Sequence, residues 1–250
     1  MSSGPLDLSA EVGGARLPFC AMNAAGTALT SNDLRALAGS RSGAVVMRTA
    51  TVHPVVHPEF RSLHNPGFDK LVPLARDLVA LGERPVIASV SGGTVDEFAL
   101  LARAFADAGV AAIEANLAGA WVDVTLAPFD DLAVLRDLAA RMTAASAVPV
   151  WVRLPDRPLH YARVLASLAD GGVLAVGVRN DFAQFEKLLL ERRTLPIDVV
   201  AVGNVGSGFD VRRALAKGAR AVQVGPTLGS EGAGIFARLE REMRRARGER

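Results

Sequence analysis

Eight short runs of β-branched and small apolar residues recur along the chain. A stretch of helical periodicity separates most neighbouring pairs, and this alternation restricts the fold more than any other feature of the 250 residues. The runs are LPFCAMN (17–23), GAVVMRT (43–49), RPVIASV (84–90), AAIEANL (111–117), VPVWVRL (148–154), GVLAVGV (172–178), IDVVAVG (197–203) and RAVQVGP (220–226). Thr94 to Ala108 shows the helical pattern clearly: Thr94 stands as N-cap, Glu97 at the capping-box position, and Phe98, Leu101, Ala102 and Phe105 share one face. Residues 132–142, 159–168, 182–190, 211–215 and 235–243 read alike. Gly or Pro stands at several helix-to-strand junctions, at Gly109, Gly171-Gly172, Gly218 and Pro149, where each ends a helix. The expectation is a single α/β domain over 1–250, a (β/α)8 TIM barrel, with residues 1–15 as an N-terminal extension and 244–250 as a basic tail. An open doubly wound sheet is disfavoured by the strand count and by the lack of a GxGxxG after the first strand.

Composition supports that class and narrows the function. Half of the residues are hydrophobic but only 5% are aromatic, so the core is Ala, Val and Leu, which suits parallel strands covered by helices. Net charge is +2, and much of the basic excess sits at Arg238, Arg241, Arg244, Arg245, Arg247 and Arg250. Those arginines read as a solvated helix end beside the negative pole of its dipole. Without interleaved aromatics they do not make a nucleic-acid surface. One cysteine, Cys20, permits no intrachain disulfide and points to a reducing compartment. No stretch has the length and apolarity of a membrane span, and the N-terminus lacks the pattern of a secretory signal, so a cytoplasmic protein is expected.

In a parallel barrel the chemistry gathers at the C-terminal strand tips. The seventh and eighth tips read VGNVGSG (202–208) and QVGPTLGSEG (223–232). Gly203, Asn204, Gly206, Ser207 and Gly208 suit a backbone cradle for phosphate, with Thr227 or Gly229 replacing the donor that Pro226 lacks. Arg48 and Arg153 each end an otherwise apolar run, where the charge must reach the mouth, an anion or a carboxylate such as Glu114. The histidines are poorer candidates. His53 and His57 are each followed by Pro, which works against a helical metal pair, and His64 and His160 are isolated, so no metal site is expected. Cys20 reads as a small core residue.

The segments LPFCAMNAAGT, GAVVMRTAT, HNPGFD (64–69), VIASVSG (86–92), EANL (114–117), VWVRLP (150–155), VGNVGSG and KGARAVQVGPTLGSEGAGIFARLEREM (217–243) carry a resemblance in order and spacing. Over most of residues 17–243 the chain resembles the dihydroorotate dehydrogenases, in particular the soluble class 1 group. The resemblance implies a (β/α)8 flavoprotein of pyrimidine biosynthesis, an oxidoreductase acting on a CH–CH group with FMN across the barrel mouth. It assigns Ala25 and Gly26 to backbone against the flavin, Thr49 and Ser89 to polar positions, and Asn116 to flavin and substrate contact. It adds Val178 to the cofactor positions, and it places Gly203 and Gly225, with Asn204 and Thr227, at the FMN phosphate. Arg48 and Arg153 stand where the family has lysines. Asn204 and Pro226 replace the usual Gly and Thr or Ser.

The substrate side departs further. The family follows its Asn with Leu-Ser-Cys-Pro-Asn, the Cys taking the substrate's proton; here Asn116 is followed by Leu117-Ala118-Gly119-Ala120-Trp121, so Gly119 stands at the base. HPEFRSL (57–63) replaces an amide-bearing motif, Arg179-Asn180 replaces an Asn-Ser or Asn-Thr pair, and the segment between the sixth and seventh strands is shorter. Losing a positioned base costs roughly two to four decades of rate. Two readings follow. In the first, a flavin oxidoreductase has a pocket relined by Trp121, Arg179, Asn180, Glu59 and His64, with Glu59 or His64 as a new acid or base. In the second, a non-catalytic homologue, a pseudoenzyme or a partner subunit, binds a phosphorylated ligand or nothing. A third, weaker reading is an ordinary dihydroorotate dehydrogenase with its base on another loop. Ala-rich helices would allow a homodimer.

Overall fold

The computed structural model describes residues 6–56, 65–118, 131–192 and 195–246. It begins with an antiparallel hairpin, β1 (Ala10–Val12) and β2 (Ala15–Leu17). The barrel strands follow: β3 (Ala21–Asn23), β4 (Val45–Val46), β5 (Val86–Val90), β6 (Ala112–Asn116), β7 (Val150–Arg153), β8 (Ala175–Arg179), β9 (Asp198–Val202) and β10 (Ala221–Val224). The helices are α1 (Ser31–Ala38), α2 (Phe68–Leu81), α3 (Val95–Ala106), α4 (Leu132–Ala145), α5 (Tyr161–Asp170), α6 (Phe182–Arg192), α7 (Gly208–Lys217), α8 (Pro226–Glu231) and α9 (Ile235–Arg245). All eight barrel strands are parallel and run β3-β10-β9-β8-β7-β6-β5-β4 around the sheet. This is the (β/α)8 barrel that the alternation predicts.

No ladder joins β3 to β4, and two side-chain features close the ring there instead. The Asn23 amide donates to the Val46 carbonyl at 2.7 Å and accepts from the Val46 N–H at 2.8 Å, replacing a peptide rung. Nearby, the Gly43 N–H donates to the Ala21 carbonyl at 2.8 Å. A Cβ on Gly43 would lie 1.8 Å from the Phe19 carbonyl oxygen, so only glycine permits this approach.

Side chains alternate across every strand. Met22, Val46, Ile87, Ala112, Trp151, Ala175, Val200 and Ala221 fill the barrel, whereas Val45, Ala88, Ile113, Val152, Val176, Val199 and Val222 face the helices. The hairpin plugs the N-terminal end. Its Val12, Ala15 and Leu17 are buried with the interior set, and the Trp151 indole donates to the Gly13 carbonyl at 3.2 Å. Val12, Gly13 and Ala15, within the stretch read as an N-terminal extension, are buried, whereas Glu11 and Gly14 are exposed; the predicted first strand (17–23) divides, Leu17 staying with the hairpin.

The helix reading needs two amendments. Thr94 does cap α3, accepting from the Glu97 N–H at 3.2 Å, but the Glu97 carboxylate turns to the Gly93 N–H at 2.7 Å, so the box is half formed. Helices α1, α2 and α8 are additional; α1 is eight residues with a Thr30–Asp33 capping box, and α2 contains Pro73, which masks its periodicity. At the C-terminus α9 buries Ile235, Phe236, Leu239 and Met243, and two of its arginines are paired: Arg238 with Glu231 and Glu242, Arg244 with Glu240.

Asn23→Ala strands a buried N–H and a buried C=O of Val46, at about 1–3 kcal/mol each. Urea unfolding should show a loss of about 2–5 kcal/mol. A loss below about 1 kcal/mol would mean that the amide does not close the barrel.

Candidate functional site

The polar residues of the interior gather at the C-terminal tips in two connected groups. In the first, the Asn116 side-chain amide donates to Thr49 Oγ1 at 2.9 Å, and Thr49 Oγ1 shares a 2.9 Å hydrogen bond with Ser89 Oγ. The Asn116 side-chain Oδ1 accepts from the Ala118 N–H at 3.1 Å, which turns the chain as it leaves β6. Asn65 supports this group from below the loop, donating to the Thr49 carbonyl while accepting from the Gly67 N–H. Thr49, Ser89, Asn65 and Asn116 lie far apart in sequence, and the tips of β4, β5 and β6 bring them together.

The second group is charged. Glu114 points inward on β6 and is 2% exposed; its Oε2 accepts from the Gln223 side chain at 2.7 Å, whereas Oε1 has no hydrogen-bond partner among the described residues. Burial pushes its carboxyl above the usual range, against the opposing pull of Gln223 and of Arg153. Arg153, at the end of β7, does not pair with Glu114. Its guanidinium donates to Asp156 and the Leu154 carbonyl, both at 2.8 Å, and to the Gly177 carbonyl at 3.4 Å. Arg179 approaches the same Asp156 at 3.6 Å and Asp181 at 4.0 Å. A cavity of about 210 Å³ opens above these residues, lined by Ala24, Ala25, Glu114, Asn116, Ala118, Arg153, Asp156, Val202 and Gln223. Arg48 lies outside it, half-buried, with its guanidinium on the Leu29 carbonyl at 3.2 Å; burial lowers its affinity for the proton.

The loops after β8, β9 and β10 are laced together. Asn180 donates to the Gly203 carbonyl at 3.2 Å, Asn204 to the Asn180 carbonyl at 2.8 Å, and Thr227 to the Val205 carbonyl at 3.1 Å. Asn204 has φ 52°, the left-handed conformation that Asn tolerates best after Gly, so it keeps the backbone path that a glycine would take. Pro226 is the first residue of α8, where its missing N–H costs nothing. Three expected anion donors are already engaged, however. The N–H groups of Gly206 and Ser207 donate to Asp210 at 3.1 and 3.0 Å, and that of Gly208 donates to Glu242 at 2.6 Å. The Gly203 N–H likewise donates to the Gln223 carbonyl at 2.8 Å, so the cradle predicted over 203–208 contracts to Asn204.

The Val178 side chain packs into the layer between barrel and helices, because alternation along β8 turns it away from the mouth. Cys20 is buried and its thiol is pushed up to about 12 by desolvation, in keeping with a core residue. His53 stands in an irregular segment, and His160 precedes α5 without a side-chain capping bond. Among the described residues no group of three His, Cys, Asp or Glu could hold a metal ion, and no helix is long and apolar enough to cross a membrane. His57, Glu59, His64, Gly119 and Trp121 lie outside the described residues. Asn65, Asp156 and Gln223 are site residues that sequence reasoning missed, although Asn65 stands in the HNPGFD motif, and Glu114 was read only as a possible partner of an arginine.

No family model matches the chain. Among curated proteins it is 28% identical over 279 aligned positions to a dihydroorotate dehydrogenase (fumarate) from Trypanosoma cruzi, covering 90% of this chain and 88% of the relative. The corresponding enzyme of Lachancea kluyveri is 24% identical over 91% of this chain and 88% of its own length. A catalytic subunit of dihydroorotate dehydrogenase B (NAD(+)) from Cutibacterium acnes is 30% identical, over 57% of this chain and 47% of the relative. Among solved structures, DHODH from Eimeria tenella in complex with ferulenol superposes with TM-score 0.80 at 14% identity, covering 95% of this chain and 83% of that one. The resemblance to dihydroorotate dehydrogenases read from the sequence motifs is thus found along nine-tenths of the chain.

The buried Glu114 gives the fold a pH signature. Its folded pKa lies above the ordinary 4.5, so between those two values the native state holds more protons than the unfolded state, and stability falls as pH rises. Glu114→Gln cannot ionise. Its unfolding free energy relative to the wild type should therefore increase from pH 4.5 upward, measured by urea unfolding between pH 4.5 and 8. A difference independent of pH would contradict the assignment.

Proposed function

We infer that this barrel is a divergent member of the dihydroorotate dehydrogenase family, binding FMN at its mouth and acting as an oxidoreductase whose substrate is not dihydroorotate. The observation that carries the reading is the joining of Asn116, Thr49 and Ser89 by hydrogen bonds at the mouth, at the positions the resemblance gives to flavin contacts. The residues present fit such a group. A Cβ at Gly26 or Gly203 would meet nothing within 4 Å, so these backbones offer open faces to a ligand. Gly225 approaches Gly203, a Cβ on it lying 3.6 Å from the Gly203 Cα, so the two loops converge. Asn204 and Pro226, which look damaging in sequence, sit in conformations that accept them.

Bound FMN supplies the capacity to take up and return a hydride. This chain's part is to hold it: Ala25, Gly26, Gly203 and Gly225 by backbone, Thr49, Ser89 and Asn116 by hydrogen bonding, and Thr227 by pinning the β10 loop to the β9 loop. Arg153 brings positive charge to the mouth, moderated by Asp156 at 2.8 Å. With Gly119 at the family's base, no side chain there removes a substrate proton, so the reading favours a donor that needs no base at that position. Arg179 and Asn180, at the rim, face the substrate side.

A second reading, a non-catalytic homologue, draws on the same loops: Asp210 and Glu242 already occupy three backbone donors near the phosphate position. Placement in the cytoplasm and a homodimer belong to the first reading, resting on the single cysteine and the Ala-rich helices.

The visible absorption spectrum of protein purified without added cofactor separates the two. A flavin band, with FMN identified by mass and bound at least about tenfold more tightly than riboflavin, is expected. Dihydroorotate under anaerobic conditions should bleach that band at least about a hundredfold more slowly than in a relative that carries the cysteine. A colourless protein that takes up no FMN would sink the flavoenzyme reading, and rapid bleaching by dihydroorotate would overturn the substrate claim.

A further inference from the structure

The floor of the mouth holds a buried acceptor that the fold itself does not satisfy. Glu114 is 2% exposed and lines the cavity, Gln223 takes only Oε2, and Oε1 has no partner among the described residues. An unsatisfied buried carboxylate oxygen is costly, and native structures keep such a group where water, an ion or a ligand completes it. Two of the groups that line the cavity with it are donors, and a third, Asp156, is a carboxylate held by Arg153. Asn116 lies two residues further along the same inward face of β6, and Arg153 is its register partner on β7. Asn116 has given one of its two amide hydrogens to Thr49, and Arg153 has engaged three of its five N–H groups.

We propose that Glu114 is a ligand-binding residue: with Asn116 and Arg153 it forms an acceptor flanked by donors that recognises the imide edge of a planar ring, an N–H between two carbonyls. The N–H donates to Glu114 Oε1 and the carbonyls accept from Asn116 and Arg153. The carboxylate favours the N–H form over any ring whose nitrogen is blocked. This deepens the functional reading above and concerns the same mouth. The chemistry is shared by two sources, the pyrimidine-dione end of a flavin and a free pyrimidine-dione such as orotate, and the test distinguishes them.

The experiment measures the affinity of the full chain for FMN, riboflavin and orotate, each beside its N3-methyl derivative, by fluorescence quenching or calorimetry. One charge-assisted hydrogen bond predicts that the wild type prefers an N–H form over its methylated form by about ten- to a hundredfold. Glu114→Leu should reduce that preference to about onefold, and Glu114→Gln, which keeps an acceptor without the charge, should retain part of it. Thermal unfolding confirms that the variants fold, and the wild-type comparison needs no variant.

Preference in the flavin pair assigns the edge to the cofactor. Preference in the orotate pair with no binding of FMN or riboflavin assigns it to a free ring and removes the FMN reading while leaving this one standing. FMN bound equally with and without the N3 proton, or equally by wild type and Glu114→Leu, overturns the proposal and leaves FMN binding intact. If none of the rings binds, both fall, and water completes Glu114.

Discussion

The ring closes through a side chain. Between β3 and β4 the Asn23 amide makes both bonds of a missing peptide rung with Val46, and Gly43 lets the following strand come up against Phe19 and Ala21. The position of every inward residue depends on that closure, because an open sheet would spread the tips of β4, β5 and β6 across a face instead of around an opening. Asn116 reaches Thr49 across 67 residues of sequence because of it, and Glu114 meets Gln223 across 109. The seam is thus as much a part of the mouth as the residues that line it.

Within the mouth, charge is balanced locally. Arg153 is answered by Asp156 and by two carbonyls, leaving Glu114 to Gln223. The consequence is a floor with a buried carboxyl held by an amide and an arginine–carboxylate pair above it, in place of the Glu114–Arg153 ion pair that the sequence allowed. The loops after β9 and β10 show a similar economy. Asp210 and Glu242 serve the N–H groups that open α7, and Arg238 bridges Glu242, Glu231 and the Gly206 carbonyl, so Arg238 braces the loops rather than merely solvating a helix end.

What was legible in the sequence is what local chemistry writes. Strand runs, the Thr94 cap and the placing of Thr49, Ser89 and Asn116 at strand tips follow from periodicity and order. The hairpin was hidden because its three-residue strands carry too little pattern, and α2 because Pro73 interrupts its helical signature. Partnerships were the least readable. Nothing near residues 206–208 announces that a carboxylate 34 positions after Gly208 will take its N–H, and nothing near Asn65 announces the Thr49 carbonyl. Asn204 and Pro226 show the reverse: replacements that alarm as letters are quiet once the backbone angles they occupy are known.

The hairpin has one more consequence. With Val12, Leu17 and Trp151 buried across the N-terminal end, the barrel is a blind well whose described interior communicates with solvent at the mouth. Whatever rests on the floor at Glu114 must enter before anything that lies over it and leave after it. Exchange in such a vessel is ordered, last in and first out, and the lifetime of the deepest occupant is set by the traffic above it.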